Sequence, residues 1–306
     1  MGSMRRLLIS LAAVFLALIV GAVLGAVVRQ GNSDRDDLAR RNDALAAVNQ
    51  QLEHRADTAE QFIDHSSDRL LHGTLADRKV LVFTTPDADV ADADAVSAAL
   101  TTAGASVTGR VALTDAFVDA TQGDRLRTAV TNMIPAGAQL QTDSVDQGSL
   151  AGDLLGLALL NDPGSGAERA TGQERGLILA TLRDGGFLAT GELAPAQLAV
   201  VVTGSGAQAG QDGQGSIIAH FAGALRERGA GVVLAGQPGS SRGPGPIAQV
   251  RADRRLDAAV TTVDDVDRGS GRVSTVLGLA EQLDGKTGHY GTGADVSATP
   301  AGALPG

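Results

Sequence analysis

The sequence predicts an α/β protein in three successive parts: an N-terminal transmembrane helix, a parallel coiled-coil stalk and a domain with a mainly parallel sheet. Three observations predict this fold class. An unbroken apolar run fills residues 7–28, leucines recur at heptad spacing within residues 32–72, and strand-like runs alternate with helix-like runs over residues 77–293. We expect residues 1–6 to form a cytoplasmic tip and residues 294–306 to form a flexible tail.

The apolar run from Leu7 to Val28 has the length of a membrane-spanning helix. Such a helix needs about 20 residues, whereas a secretory h-region has roughly 7–15. Arg5 and Arg6 precede the run, and the positive-inside bias then leaves the N-terminus in the cytoplasm and the bulk of the chain outside. Removal of the run as a signal peptide is the alternative. We expect a single-pass protein in contact with membrane lipid.

One face of this helix carries a small residue at every fourth position. That spacing lets two helix backbones approach closely in lipid, although Ala and Gly are also common in membrane helices generally. The predicted packing face consists of Ala13, Ala17, Gly21 and Gly25.

The stalk over residues 32–72 lacks Pro and Gly as far as Leu71. Leucine at position d with asparagine at position a is typical of a parallel two-stranded coiled coil, in which a buried Asn pair fixes the register. We therefore expect a parallel homodimer, with a single helix folded against the domain as the alternative. The predicted contact positions are Leu38, Asn42, Leu45, Asn49, Leu52, Ala56, Ala59, Ile63 and Leu70.

The domain over residues 77–293 alternates short apolar runs with helical patterns, which indicates strand–helix–strand units. Two such units of similar order indicate either a weak internal duplication or two crossovers of one sheet. Strands are predicted at residues 79–85, 105–113, 197–204 and 230–236. Helices are predicted at residues 89–104, Gly123–Ile134, Ser149–Leu160, Gly172–Asp184, 215–229 and Gly271–Leu283.

The amino-acid composition excludes several classes of site and partner. The chain of 306 residues has a net charge of −10, 2% aromatic residues and no cysteine. The absence of cysteine rules out disulfides and thiolate metal ligands. The acidic balance and the lack of stacking side chains argue against nucleic acid as a partner.

The glycine-rich segment Thr203–Gly215 follows a predicted strand and precedes a predicted helix, as a nucleotide loop would. Gly204 and Gly206 match the G-x-G-x-x-G pattern, but Ala209 occupies the third glycine position and no Lys-Ser/Thr pair follows. We expect a flexible surface loop here. A nucleotide-using enzyme is the least favoured hypothesis.

The remaining polar residues do not form a recognisable catalytic set. We expect His220 to be a satisfied core residue and the acidic cluster of Asp264, Asp265 and Asp267 to be a solvated turn. His65 and His72 share an outer heptad position and are too far apart to bind one ion. No nucleophile, base and oxyanion donors occur together, so we predict no catalytic residue, no metal site and no cofactor.

Three stretches resemble the actinobacterial copper-transport family of the MctB type. They are "ISLAAVFLALIVGAVLG", "VTGRVALTDAFVD" and "GRVSTVLGLAEQLDGKTGHYGTG". The resemblance covers Leu7 to Gly293, and "TGHYGTG" is its most specific part. It implies a channel-like envelope protein linked to copper homeostasis and export, and copper is implied by the resemblance only. It also implies a partner protein and control of peptidoglycan hydrolysis at cell division.

The residues themselves favour protein contacts, because a single apolar helix gives no aqueous path and soft copper ligands are scarce. On the resemblance, we predict a non-enzymatic, membrane-anchored envelope protein of the copper-transport family. The alternative is a dimeric coiled-coil scaffold that binds a protein partner and regulates peptidoglycan hydrolysis.

Overall fold

The structure is a computed structural model that describes residues 40–63, 65–134, 146–206, 213–293 and 295–297. The predicted transmembrane helix with its packing face, the cytoplasmic tip and Leu38 lie outside these residues. The chain divides into two compact units, with the boundary between Ala59 and Glu60. In the part of the chain that is described, no helix combines the length and hydropathy needed to cross a bilayer.

The described residues of the first unit, 40–59, are helical. In the second unit, residues 60–63 and 65–71 are helical as well, and we call all these helical residues α1. Helix formation agrees with the pattern predicted for the stalk. The pairing of two such helices into a coiled coil stays a prediction.

The second unit contains a seven-stranded sheet in the order β3-β2-β1-β4-β5-β6-β7. Every neighbouring pair is parallel except β2 and β3. The prediction of a mainly parallel sheet is therefore confirmed, and both strand–helix–strand units belong to the same sheet. The strands are β1 (Lys79–Thr84), β2 (Ser106–Leu113), β3 (Leu188–Thr190), β4 (Leu198–Thr203), β5 (Gly231–Gly236), β6 (Thr261–Val263) and β7 (His289–Tyr290).

Helices connect these strands and cover both faces of the sheet. The six predicted helices are present with ends within one turn of those expected, whereas α3, α8 and α9 were not predicted. The helices are α2 (Val90–Thr102), α3 (Asp115–Val118), α4 (Gly123–Thr131), α5 (Gln147–Leu159), α6 (Gly172–Asp184), α7 (Gln214–Arg228), α8 (Pro246–Ala252), α9 (Arg254–Ala259) and α10 (Gly269–Leu283).

Side chains alternate along the central strands and fill one hydrophobic core on each face. Leu81 and Phe83 of β1 join the core that contains α5 and α7. Val80 and Val82 join the opposite core, which contains α2, α10 and Leu71 at the end of α1. A strand buried on both faces explains why the sequence shows continuous apolar runs instead of alternation.

Glycines allow α5 and α7 to pack closely. A Cβ atom added at Gly148 would lie 2.1 Å from the carbonyl oxygen of Ile217, and one at Gly152 would lie 2.6 Å from that of Phe221. The ring of Phe221 in turn makes an edge contact with Phe83, with centroids 5.3 Å apart. This packing fixes the position of α7, whose first turn begins the candidate site described next.

Candidate functional site

A cavity of about 340 Å³ lies at the carboxyl ends of β1 and β4, where the order in which the chain adds strands to the sheet reverses. From β1 the chain continues to β2 on one side, and it returns later as β4 on the other side. The connections that leave the carboxyl ends of these two strands therefore diverge, and in open α/β sheets ligands bind in the crevice that results. The polar residues that line the cavity are Thr85, Asp87, Asp115, Thr203 and Gln214.

Asp87 is held in place by hydrogen bonds from both strand ends. Its Oδ1 accepts hydrogen bonds from the hydroxyls of Thr85, at 2.6 Å, and Thr203, at 3.3 Å. Its Oδ2 accepts one from the backbone N–H of Gly206, at 3.1 Å. A Cβ atom at Gly204 would lie 2.0 Å from the Asp87 carbonyl oxygen, so only glycine fits there. Both carboxylate oxygens thus bind protein donors.

The glycine-rich segment differs from the flexible surface loop that was expected. Thr203 and Gly204 are buried and Gly206 is half-buried. Gly204 packs against Asp87, and Gly206 packs against Gly245 and Pro246. Residues 207–212 of the predicted loop lie outside the described residues. The described start of the segment is therefore part of the cavity wall.

Two helices begin at the cavity. Gln214 and Gly215 of α7 line it, and Gly213 before them has a φ of 73° and gives the helix no side-chain cap. Asp115 is the first residue of α3 and is exposed. The apolar part of the lining comes from Pro86, Val118, Ile218 and Pro246. The cavity thus combines two carboxylates and helix N–H donors with an apolar wall.

A second polar cluster lies where α1 meets α10. Glu60 Oε2 accepts a hydrogen bond from the N–H of Gly269, at 2.8 Å, and Glu60 Oε1 accepts one from the Ser270 hydroxyl, at 3.0 Å. The same hydroxyl lies 3.1 Å from Asp265 Oδ2, while the buried Oδ1 of Asp265 has no hydrogen-bond partner. Burial raises the pKa of Asp265. Glu60 therefore caps α10 beside a carboxyl group that favours its protonated form.

Two of the three residues of the acidic cluster, Asp264 and Asp265, do not lie in a solvated turn as expected, whereas Asp267 is exposed in a turn. Asp264 is fully buried and Asp265 is 5% exposed. Asp264 pairs with Arg251 at 2.7 Å and accepts hydrogen bonds from the N–H groups of Thr292 and Gly293. These contacts stabilise the two charges that burial would otherwise disfavour.

The "TGHYGTG" stretch packs around this buried pair. The hydroxyl of Tyr290 donates to Glu281, and burial raises the pKa of Tyr290. His289 lies between Thr262, at 2.8 Å from Nδ1, and Asp257, at 2.8 Å from Nε2. The residues most specific to the resemblance therefore complete the end of the sheet.

Part of the predicted coiled-coil surface is exposed in the first unit. Leu45 and Leu52 are 61% and 55% exposed, and Asn42 and Asn49 are exposed as well. Val48, which the heptad assignment did not include, is 51% exposed. Its spacing of three residues after Leu45 and four before Leu52 was the signal for it. Ala56 is half-buried and Ala59 is exposed.

The predicted positions in the second unit have different surroundings. Ile63 packs against the core that contains α2 and α10. Leu70 is 39% exposed, and Phe62, which was not predicted, is 73% exposed. Ile63 therefore contributes to the interior of its own chain, while Phe62 and Leu70 leave apolar surface exposed to solvent.

The histidines are placed apart from one another. His220 is half-exposed and pairs with Asp146 at 3.3 Å, so the expectation of a core histidine was wrong. The hydrogen bond to Asp146 raises the pKa of His220. His65 Nδ1 lies 2.6 Å from the carbonyl oxygen of Gln61, and His72 is exposed. Among the residues described, no three His, Asp or Glu side chains are placed to hold a metal ion.

Comparison with known proteins decides the family. The family model described as "Copper transport outer membrane protein, MctB" matches residues 1–300. The chain belongs to the MctB family. It is 40% identical over 302 residues to the copper transporter MctB of Mycobacterium tuberculosis and to that of Mycobacterium bovis, covering 95% of this chain and 96% of each relative. It is 39% identical over 305 residues to the copper transporter MctB of Mycobacterium leprae, with the same coverage. The predicted resemblance is thereby confirmed.

Proposed function

We propose that this chain is a membrane-anchored, non-enzymatic protein of the cell envelope that contributes to copper export and homeostasis. The observation that carries the proposal is 40% identity, over 95% of the chain, to proteins named copper transporter. The apolar segment Leu7–Val28, preceded by Arg5 and Arg6, supports a single-pass anchor with the N-terminus in the cytoplasm.

The copper role is tested in cells that lack the chain and are grown under copper load. We expect their copper content to rise and to return to normal when the full chain is restored. A chain without residues 1–28 is the matched variant, and we expect it to leave copper content high because it lacks the anchor. Unchanged copper content in the cells that lack the chain would contradict the proposal.

The second candidate function is a dimeric coiled-coil scaffold that binds a protein partner and regulates peptidoglycan hydrolysis at cell division. The exposed side chains of Leu45, Val48 and Leu52 favour it, since they form an apolar stripe along a helix that also carries many charged and polar residues. Leucines at heptad spacing, with Asn49 between two of them, support a parallel pair of identical helices.

Pairing is tested with single engineered cysteines, because the natural chain has none. In a parallel dimer, Asn49→Cys brings two thiols together at the contact, whereas Ala47→Cys places them on the outer faces of the helices. We expect mild oxidation of membranes to link the first variant far more efficiently than the second. Equal linkage of both would refute the predicted register.

The scaffold role is tested with Leu45→Glu and Leu52→Glu together. Each added carboxylate would be buried beside its copy in the dimer, so we expect loss of pairing without loss of the α/β unit. The readouts are division-site morphology, peptidoglycan hydrolysis and the proteins cross-linked to the chain. Glu53→Gln, at an exposed position of the same helix, is the control. Unaltered division in a variant that no longer pairs would refute the scaffold role.

A further inference from the structure

The cavity between the ends of β1 and β4 has the features of a small-molecule site. Its volume of about 340 Å³ falls at the lower end of the range for ligand pockets, about 300–1,000 Å³. It lies at the point of the sheet where open α/β folds bind ligands. Its wall is mixed, with the buried side chains of Val118 and Ile218 next to polar groups.

The charges of the residues that line the cavity determine which sign of ligand charge is favoured. Asp87 and Asp115 are the charged side chains that line the cavity among the described residues, and both are carboxylates. The N-terminus of α7 also borders the cavity and is equivalent to about +0.5 charge. Two carboxylates outweigh that half charge, so a cationic group is favoured over an anionic one. A phosphate or carboxylate ligand would meet repulsion.

The two carboxylates differ in whether their oxygens are already engaged in hydrogen bonds with the protein. Asp87 uses both oxygens for Thr85, Thr203 and the Gly206 N–H, so it supplies charge and a fixed shape. Asp115 is exposed at the start of α3, and the described residues give its carboxylate no hydrogen-bond or ion-pair partner. Asp115 is therefore the group available for a direct bond to a ligand.

We propose that this cavity binds a small primary ammonium compound that also carries a hydrogen-bond acceptor and a short apolar body. The ammonium group donates to Asp115 in the field of Asp87. The acceptor faces the first turn of α7, where Gly213 offers no side chain to cap the helix. The apolar body lies against Val118 and Ile218. This proposal is independent of the copper and scaffold roles.

Three probe compounds share a leucine side chain and differ in charge, so they separate the effect of ligand charge on binding from the effect of ligand shape. Leucinamide is a cation, N-acetylleucinamide is neutral, and N-acetylleucine is an anion. We expect saturation-transfer NMR on the full-length chain to give binding in the order cation, neutral compound, anion. Saturable binding of none of the three, or tighter binding of N-acetylleucine than of leucinamide, would overturn the proposal.

A pair of matched variants places the binding at the cavity. Asp115→Asn removes the charge of an exposed side chain, and we expect leucinamide affinity to fall about tenfold while N-acetylleucinamide affinity stays the same. Asp184→Asn removes a charge from another exposed acidic residue, at the end of α6 and away from the cavity, and we expect no change. An equal loss in both variants would show a general charge effect and refute the assignment. Unchanged amide chemical shifts in the core strands confirm that both variants stay folded.

Discussion

The capping of α10 by Glu60 predicts a measurable local change when the carboxylate is removed. Arg268, the residue before α10, makes no capping hydrogen bond with its side chain, so Glu60 takes that role from a distant part of the chain. Loss of a helix cap costs about 1 kcal/mol, and loss of a negative charge at a helix N-terminus adds about 0.3–1 kcal/mol. We therefore expect Glu60→Ala to destabilise the first turn of α10 by about 1.5–2 kcal/mol.

Hydrogen exchange on the full-length chain measures this change. A free-energy loss of that size corresponds to exchange that is roughly 10–30-fold faster at the amides of Gly269 and Ser270. Glu60→Gln keeps an oxygen acceptor and loses only the charge, so its acceleration should be smaller. Glu53→Ala, which alters an exposed glutamate of α1, should leave both amides unchanged. Amide exchange in Glu60→Ala at the rate of the natural chain would refute the capping role of Glu60. Exchange in Glu60→Gln as fast as in Glu60→Ala would refute the part assigned to the oxygen acceptor.

Three further predictions concern buried and paired charges. Because burial raises the pKa of Asp265, its stabilising contribution is present at acidic pH and is lost as pH rises through that raised value; Asp265→Asn should flatten this dependence in denaturation series. Arg228→Met removes the guanidinium that pairs with the buried Asp153 and should cost about 3–5 kcal/mol in urea unfolding, most of which Asp153→Leu in the same chain should restore. The hydrogen bond to Asp146 raises the pKa of His220, so this pair stabilises the fold below that value and loses the contribution above it; His220→Gln should remove the corresponding step from the pH–stability curve.

The sequence predicted the elements that carry strong local patterns. The continuous apolar residues of β1 and β4 indicate strands buried on both faces, and the structure confirms them. The three residues of β6 and the two of β7 are too few to show any periodicity, so their pairing becomes visible only in the sheet. The same limit explains why the one antiparallel strand of the described sheet, β3, was not predicted.

The candidate cavity could not be predicted from local sequence patterns, because its residues are far apart in the chain. Asp87 and Thr203 are 116 residues apart in sequence, and their contact depends on β1 and β4 being neighbours in the sheet. Asp264 and Asp265 look like a solvated turn because acidic residues usually stay in water, yet Arg251 lies close enough in space to stabilise Asp264 in the interior. The first contact depends on which strands become neighbours, and the second depends on how α8 packs beside the end of β6. Single-sequence reasoning established neither.

The lengths of the outermost strands restrict how copies of this protein can associate. The described sheet ends in β3 on one side and in β7 on the other, with three and two residues respectively. Strands this short present few unpaired N–H and C=O groups, so they are poor templates for a strand from another molecule. Joining two sheets side by side into a continuous larger one is therefore disfavoured. Any association between copies of the described part favours its helical surfaces, where contacts can form and separate without exposing sheet backbone.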